Sequence, residues 1–210
     1  MKLIIIGPQG SGKGTHAKKL AALLGILHIS TGDLLRELAA QPTKEGAEIK
    51  DMLATGALFS DDFMLQILRK RLDKPDAEKG FILDGFPRTL NQANILEQIT
   101  KIDRAIYLNV PDNECVRRLA GRKTCTHCGS IYGNENPPKK DGKCDNCGST
   151  LRVREDDKEE TIRKRLGLYH QQTEPILDLY RRDCKLVEIN IQPFRSPDEN
   201  FRDVCGALGI

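Results

Sequence analysis

The stretch Leu3–Thr15, LIIIGPQGSGKGT, decides the fold of this 210-residue chain. Four β-favouring apolar residues are followed by a glycine-dense loop that holds Lys13, and then by a helical pattern. Glycines allow backbone N–H groups to converge on a phosphate without interference from Cβ atoms, and a helix N-terminus adds positive potential. The stretch therefore predicts a strand, a phosphate-binding loop and a helix, with Lys13 supplying a mobile charge for the outer phosphates.

The loop departs from the strict P-loop pattern at one position. That pattern ends in Gly-Lys-Ser/Thr, whereas here Gly14 stands between Lys13 and Thr15, so the hydroxyl that would help to hold Mg²⁺ comes one residue late. A dinucleotide-binding loop would need a glycine where Thr15 stands. Phosphate binding is therefore the interpretation that fits the loop.

Strand-like and helix-like segments alternate along most of the chain. Short apolar runs occur at Gly80–Leu83, Ala105–Leu108 and Leu186–Ile189. Between them lie amphipathic segments at Asp61–Leu72, Leu90–Ile99, Asn113–Leu119 and Glu159–Tyr180. The alternation predicts a parallel sheet with helices on both faces, since strands covered on both sides are apolar throughout.

Two segments interrupt this alternation and are predicted to be insertions. Ser30–Phe59 has a helical pattern without a strand, and Arg122–Asp157 is polar and rich in glycine and proline. The second holds Cys125-x-x-Cys128, fifteen further residues, and then Cys144-x-x-Cys147. This spacing predicts two knuckles that hold one structural Zn²⁺ through four thiolates, with iron as the alternative metal; Gly129 and Gly148 follow the knuckles, where positive φ is often needed.

Composition and charge exclude several classes of protein. The chain has 33 basic and 30 acidic residues, a net charge of +3, and no polybasic tail. We expect no contact with nucleic acid or membrane, and a cytoplasmic location, because the chain has no long apolar run and opens directly on a strand. Cys115, Cys184 and Cys205 are expected to be small buried apolar residues.

A second nucleotide signal lies at Phe81–Asp84, an apolar strand that ends in an acid. An aspartate at this place beside a P-loop can hold Mg²⁺ directly or through water. The string continues as DGFPR, Asp84–Arg88, and STGDLLR, Ser30–Arg36, stands upstream. Together with the P-loop, including Gly14, and with Gly121–Lys123, Arg154-x-Asp156-Asp157 and Glu160–Leu166, these strings resemble the adenylate kinase family.

The resemblance runs from Met1 to about Asp183 and is to the long form, with an enlarged lid. It implies a three-layer α/β core of the P-loop NTPase type with a parallel five-stranded sheet, a helical insertion that binds the nucleoside monophosphate, and a small zinc-ribbon-like lid. The implied domains are a core of residues 1–29, 60–121 and 158–210, an AMP-binding insertion of residues 30–59, and a lid of residues 122–157. The implied reaction is reversible, Mg²⁺-dependent phosphoryl transfer, ATP + AMP = 2 ADP, by a monomer that serves adenine nucleotide homeostasis.

The resemblance also implies the site residues, most of which would contact phosphate. The ATP ligands would be Gly10, Ser11, Gly12, Lys13, Gly14, Thr15, Arg118 and Arg122. The AMP ligands would be Thr31, Arg36, Leu58, Gly85, Arg88, Gln92, Arg154 and Arg165, with Gly56–Phe59 along the base. The catalytic groups would be Lys13, Arg88, Arg122, Arg154 and Arg165. Asp84 would bind the magnesium ion through water. Arginine suits these roles because its rigid fork matches phosphate oxygens and stays charged.

Three alternatives remain open from the sequence. Related pyrimidine nucleotide kinases would accept UMP or CMP, although Thr31 and the Thr89-x-x-Gln92 pattern agree with adenine. Some long-form relatives use GTP as donor. A zinc ribbon beside a P-loop could also belong to a nucleic-acid-binding ATPase, but Tyr132 is the ribbon's one aromatic residue.

Overall fold

A computed structural model describes residues 1–56 and 58–210. In chain order its strands and α-helices are β1 Lys2–Ile6, α1 Lys13–Leu24, β2 Leu27–Ser30, α2 Thr31–Ala39, α3 Lys44–Thr55, α4 Asp61–Leu72, β3 Phe81–Asp84, α5 Leu90–Ile99, β4 Arg104–Asn109, α6 Asp112–Ala120, β5 Lys123–Cys125, β6 Ile131–Tyr132, β7 Leu151–Arg152, α7 Glu159–Leu168, α8 Ile176–Arg182, β8 Leu186–Asn190 and α9 Pro197–Leu208. Short 3₁₀ turns occur at Pro75–Ala77 and Glu155–Asp157, and a π-helical turn at Tyr169–Thr173 joins α7 to α8.

The main sheet has five parallel strands in the order β2-β3-β1-β4-β8. Successive side chains of β1 point to opposite faces, so Ile4 and Ile6 pack under α2–α5 and α8, whereas Leu3 and Ile5 pack under α1, α6, α7 and α9. Each face therefore buries its own apolar cluster. The predicted three-layer α/β core with a five-stranded parallel sheet is confirmed.

The central strand β1 lies where the strand order changes direction, between β3 and β4. Parallel α/β sheets bind ligands outside the carboxyl ends of the strands at such a point. The glycine-rich loop leaves β1 at this edge. Ile5 pairs with Asp84 in the register of β1 and β3, so the acid that ends β3 lies beside the loop.

The second insertion has its own antiparallel sheet, in the order β6-β5-β7. Its buried residues are Cys125, Tyr132, Cys144 and Leu151. So small a cluster gives little hydrophobic stabilisation, which agrees with the expectation that a metal holds this segment together.

Three features differ from the sequence-based expectations. Strand β2 was not recognised as an apolar run, because Leu27–Ser30 alternates in polarity. The segment Glu159–Tyr180, expected as one amphipathic stretch, is divided by the π-helical turn. Cys115 is buried as expected, but Cys184 is exposed, with φ 54°, in the turn before β8.

No helix in the described parts of the chain combines the length and apolar character needed to cross a bilayer.

Candidate functional site

The glycine-rich loop wraps around the start of α1 as the sequence predicts. Gly10 has φ 90°, and a Cβ at this position would lie 2.7 Å from the carbonyl oxygen of Cys115, so only glycine allows this packing. Lys13 begins α1 and folds back over the loop, where its Nζ donates to Gly7 O at 2.6 Å and to Pro8 O at 2.8 Å. The lysine is thereby held at the mouth of a helix N-terminus.

Burial lowers the pKa of Lys13 to about 8, and the nearby positive charge of Arg88 adds to this, while the Asp84 carboxylate opposes it. A pKa so close to neutrality means that the protein alone compensates the positive charge of this lysine poorly. A polyanion bound in the loop would restore the missing charge compensation.

A cleft of about 590 Å³ opens above the loop and is lined by all three parts of the chain. The core contributes the loop and Arg88, the first insertion contributes Gly32 and Arg36, and the lid covers the far side with residues such as Tyr132. At the end of α3, a Cβ on Gly56 would lie 2.8 Å from Cγ of Arg165 in α7. The first insertion therefore lies against the core helix that carries one of the predicted arginines.

Arg88 lies at the centre of the positive charge in this cleft. Its Nε donates to Gly85 O at 2.7 Å. Burial lowers the pKa of its guanidinium to about 10, and the like charges of Arg165 and Arg36 act in the same direction. Such a lowered pKa means that nearby acidic groups do not fully compensate the positive charge of Arg88.

The lid-side arginines are oriented by a pair of consecutive aspartates. Arg122 makes a bidentate pair with the buried Asp157, at 2.7 and 2.5 Å, and Arg165 bonds Asp156 at 2.7 Å. Arg154 donates to Thr124 Oγ1 at 3.1 Å, and its pKa is lowered to about 10 by burial and by neighbouring arginines. The Arg154-x-Asp156-Asp157 string thus contains one predicted phosphate ligand, Arg154. It also contains the two aspartates that orient the guanidinium groups of Arg122 and Arg165.

Two further arginines are held by acids of their own helices. Arg118 Nε donates to Glu114 Oε1 at 2.7 Å, and Arg118 also reaches Gln192 O at 3.3 Å. Arg36 pairs with Asp33. The seven basic residues predicted to contact phosphate therefore all line one cleft: Lys13, Arg36, Arg88, Arg118, Arg122, Arg154 and Arg165.

Asp84 faces this cluster from the carboxyl end of β3. Its side chain is 13% exposed and lies 3.5 Å from Nε2 of His28, and both residues line the cleft. A carboxylate beside a phosphate loop is the hard oxygen ligand that Mg²⁺ prefers. The residues present thus fit a magnesium ion bound with the nucleotide.

The four paired cysteines come together in the lid. Their Sγ atoms all lie within 4.8 Å of one another, with close contacts of 3.5 Å for Cys125–Cys147 and for Cys128–Cys144. A tetrahedral zinc–thiolate site needs sulfur–sulfur distances of about 3.8 Å, so the cluster fits the metal. Backbone N–H groups of His127 and Cys128 point at Cys125 Sγ, as in a zinc knuckle. Gly129 and Gly148 have φ 68° and 72°, as predicted.

A family model described as adenylate kinase matches residues 5–185 of this chain. Adenylate kinases from three organisms are similar over nearly the whole length: Syntrophotalea carbinolica, 50% identical over 90% of this chain and 91% of its own; Archaeoglobus fulgidus, 47% over 90% of both; and Caldicellulosiruptor saccharolyticus, 46% over 100% of both. The chain belongs to the adenylate kinase family. It is accordingly a phosphotransferase of the nucleoside monophosphate kinase type.

Three of the predicted AMP ligands do not line the cleft, and two of them, Thr31 and Gln92, are buried. Thr31, Leu58 and Gln92 are absent from the described residues that line it. The hydroxyl of Thr31 donates to Asp84 O at 3.3 Å. Gln92 is 2% exposed; its Oε1 accepts from the backbone N–H of Arg88 at 2.7 Å and its Nε2 donates to Asp61 at 2.8 Å. The predicted base-lining segment Gly56–Phe59 includes residue 57, which lies outside the described residues.

Several groups that shape this adenylate kinase site were not found from the sequence. Asp61 accepts hydrogen bonds from three residues of the α5 N-terminal region, and Thr173 donates to the backbone of Arg88. Glu114 holds Arg118, and Arg195–Asp198 and Asn200 line the cleft. Asp61 could have been suspected because it opens a helix, but its partners lie about 30 residues away.

Proposed function

We propose that this adenylate kinase family member catalyses the reversible, Mg²⁺-dependent reaction ATP + AMP = 2 ADP. One observation carries the proposal: the P-loop lysine and all six arginines predicted to contact phosphate, from the core and from both insertions, line a single cleft. Two nucleotides bring five phosphate groups to such a site. A single nucleotide would not need so many cations.

An oxygen of the AMP phosphate attacks the γ-phosphorus of ATP, and the bond from that phosphorus to the β–γ bridging oxygen breaks. The electron pair stays on the released ADP, while the acceptor becomes the second ADP. The attacking oxygen is already anionic, so no general base is required. The protein's contribution is alignment and stabilisation of charge on the transferred group.

The roles divide by position around the cleft. Lys13 and the amides of Gly10, Ser11, Gly12, Gly14 and Thr15 bind the ATP phosphates, together with Arg118 and Arg122. Arg36, Arg88 and Gly85 bind the AMP phosphate, and Arg154 and Arg165 bridge the two nucleotides. The bidentate Asp157 pair and the Asp156 pair support these roles, because they hold the guanidinium groups in one orientation before substrate arrives.

Asp84 would hold Mg²⁺ through the water shell of the ion, and the ion would supply neutralisation of phosphate charge. The lid metal is Zn²⁺ bound by Cys125, Cys128, Cys144 and Cys147. Four thiolates fill the tetrahedron, so this site is structural. Its contribution is to hold the small lid sheet in shape over the donor.

The three predicted domains work together as a closing device: residues 1–29, 60–121 and 158–210 as core, 30–59 as the AMP-binding insertion, and 122–157 as the lid. Closure excludes water, so that the phosphoryl group passes to AMP rather than being hydrolysed. Contact of Gly56 with Arg165 and the lid residues over the cleft support this arrangement.

AMP is the proposed acceptor, with ATP as donor and ADP as product. Gln92 retains one amide hydrogen and one oxygen lone pair after its two internal bonds, and an adenine edge would reach them after the wall of the cleft moves, since this side chain is 2% exposed. Thr31 and Leu58 complete the base pocket. The alternatives with UMP, CMP or GTP are decided by the assay below.

A nucleic-acid-binding role is less well supported. Tyr132, the lid's aromatic residue, is 5% exposed, and its hydroxyl accepts from the backbone N–H of Asp145, so its ring gives no stacking platform. We further propose a monomer that works in the cytoplasm, where thiolates stay reduced and available to zinc.

The test is an assay of nucleoside diphosphate formation from each of ATP and GTP with AMP, GMP, UMP or CMP. We expect fast turnover only with ATP and AMP in the presence of Mg²⁺. Turnover with a pyrimidine nucleotide would overturn the roles of Thr31 and Gln92. Absence of turnover with every pair, combined with binding of single-stranded nucleic acid at low salt, would favour the ATPase alternative.

Two arginines on α7 provide a matched pair of variants. Arg165→Ala should lower kcat by on the order of 100-fold or more, because it removes a preorganised phosphate ligand. Arg163→Ala, two residues away, removes a side chain that is 67% exposed and pairs with Glu159. Its kinetics should match those of the parent enzyme. Equal effects of the two substitutions would contradict the site.

A further inference from the structure

The main chain of Arg88 is held on both sides by side chains from other parts of the fold. Its N–H donates to Gln92 Oε1 at 2.7 Å, and its carbonyl oxygen accepts from Thr173 Oγ1 at 2.9 Å. The Arg88 side chain then returns to Gly85 O at 2.7 Å. With both flanking peptide groups fixed, the direction in which the guanidinium leaves the backbone is fixed as well.

Thr173 is a buried polar residue in a part of the chain whose other buried residues are apolar or aromatic. It is 8% exposed, and the other buried residues of the π-helical turn and of α8 are aliphatic or aromatic: Tyr169, Ile176, Leu177 and Tyr180. Valine has the same shape and would pack beside such residues without a polar atom to satisfy. A buried hydroxyl costs free energy unless it is hydrogen-bonded, and here its donor is directed to Arg88.

The π-helical turn Tyr169–Thr173 accounts for the position of this hydroxyl. An i→i+5 turn takes up an extra residue and changes the direction of the side chains that follow, and such turns occur frequently at functional sites. In this structure Thr173 and Tyr169 both line the cleft. The turn therefore brings a helical residue from the far end of the sequence to the loop that follows β3, 85 residues away.

We propose that Thr173 is a positioning residue for phosphoryl transfer, which acts by holding the Arg88 carbonyl so that the guanidinium points at the AMP phosphate. The inference rests on the proposed function, because that function assigns Arg88 to AMP. Thr173 lines the same cleft as Arg88 and acts on the reaction through its hydrogen bond to Arg88. Its hydroxyl, rather than its bulk, carries the role.

Three variants separate the hydroxyl from the packing. Thr173→Val keeps the shape and removes the donor, whereas Thr173→Ser keeps the donor and removes a methyl group. Thr100→Val is the control, since Thr100 lies at the end of α5 and accepts from Lys2 Nζ at 2.7 Å, far from the cleft. Should the valine variant fail to fold, Thr173→Ala also removes the hydroxyl and adds no crowding.

We expect Thr173→Val to lower kcat about tenfold and to raise KM for AMP, with KM for ATP unchanged, since displacement of a positioning contact by a fraction of an ångström is costly. Thr173→Ser should recover most of the activity even if its melting temperature is lower than that of the valine variant. That inversion of stability and activity is not expected of a residue with a merely structural role.

A double-mutant cycle completes the test. In the Arg88→Ala background, Thr173→Val should cause no further loss of kcat, because the carbonyl then positions no guanidinium. Additive losses, or a serine variant as impaired as the valine variant, would overturn the inference. Normal kinetics of Thr173→Val beside a strongly impaired Arg88→Ala would overturn it and leave the proposed function intact. Normal kinetics of Arg88→Ala would instead overturn the assignment of Arg88 in the proposed function.

Discussion

The protonation of Lys13 depends on how the glycine-rich loop encloses its amine. Its amine is enclosed by the loop and its pKa is about 8, mainly because burial disfavours the charged form. The unfolded chain, with the ordinary pKa of 10.5, binds a proton between these two values that the folded chain releases. Through Lys13, the free energy of unfolding therefore rises between about pH 8 and 10.5.

This property predicts a pH dependence of ATP binding. Bound phosphates favour the charged lysine and raise its pKa, so the affinity should fall above about pH 8, by up to roughly tenfold per pH unit. Calorimetric titration with Mg²⁺ and ATP at pH 7, 8 and 9 would measure this. Lys13→Met should bind weakly with little pH dependence, and an equal pH slope in that variant would assign the titration to another group.

At the scale of elements, Asp61 couples the starts of α4 and α5. Its carboxylate accepts from Thr89 Oγ1 at 3.2 Å, from Asn91 Nδ2 at 2.7 Å and from Gln92 Nε2 at 2.8 Å. Gln92 in turn accepts from the Arg88 N–H. A single acid at one helix N-terminus thus orders the first turn of the next helix and the loop that precedes it.

Asp61→Ala should therefore weaken AMP binding as well as the fold. We expect KM for AMP to rise on the order of tenfold and KM for ATP to stay the same. The free energy of unfolding should fall by about 1–2 kcal/mol, because hydrogen bonds to a charged acceptor are lost. Steady-state kinetics and denaturant unfolding measure both. The neighbouring Asp62, exposed in the same first helical turn, provides the control: Asp62→Ala removes an equivalent charge at the helix N-terminus and should leave KM for AMP unchanged.

At the scale of the whole molecule, the lid is a separate small sheet whose order depends on four thiolates. Cys125 and Cys144 are buried with Tyr132 and Leu151, whereas Cys128 and Cys147 are exposed. The cluster contains little apolar surface, so we expect metal–sulfur bonds to supply most of the stabilisation.

Removal of the metal should thus lower the melting temperature by roughly 10 °C, and Cys128→Ser should do the same, while turnover well below the transition changes less. Scanning calorimetry with and without chelator, together with elemental analysis, tests this and distinguishes zinc from iron. Cys184→Ser alters an exposed cysteine outside the cluster and should melt like the parent protein. Identical melting with and without chelator would contradict a structural metal.

The sequence by itself determined the local features of this protein. The P-loop, the aspartate that ends β3 and the cysteine pairs are each encoded within a few residues, because a phosphate cradle needs glycines in a row and a knuckle needs two close thiols. The alternation of apolar runs such as Leu3–Ile6 with amphipathic segments predicted a parallel sheet covered by helices on both faces. Strand β2 was missed because its polarity alternates, and the π-helical turn was missed because apolar spacing cannot distinguish it from a continuous helix.

Only the tertiary structure decided which distant groups aim the arginines. Asp157 reaches Arg122 across 35 residues, Thr173 reaches Arg88 across 85, and Gln92 is held between Arg88 and Asp61. Such contacts depend on how helices pack on the sheet, and an aspartate or threonine in a helical pattern gives no local sign of its partner. The predicted ligands of this site therefore come from local sequence motifs, whereas their orientation depends on long-range packing.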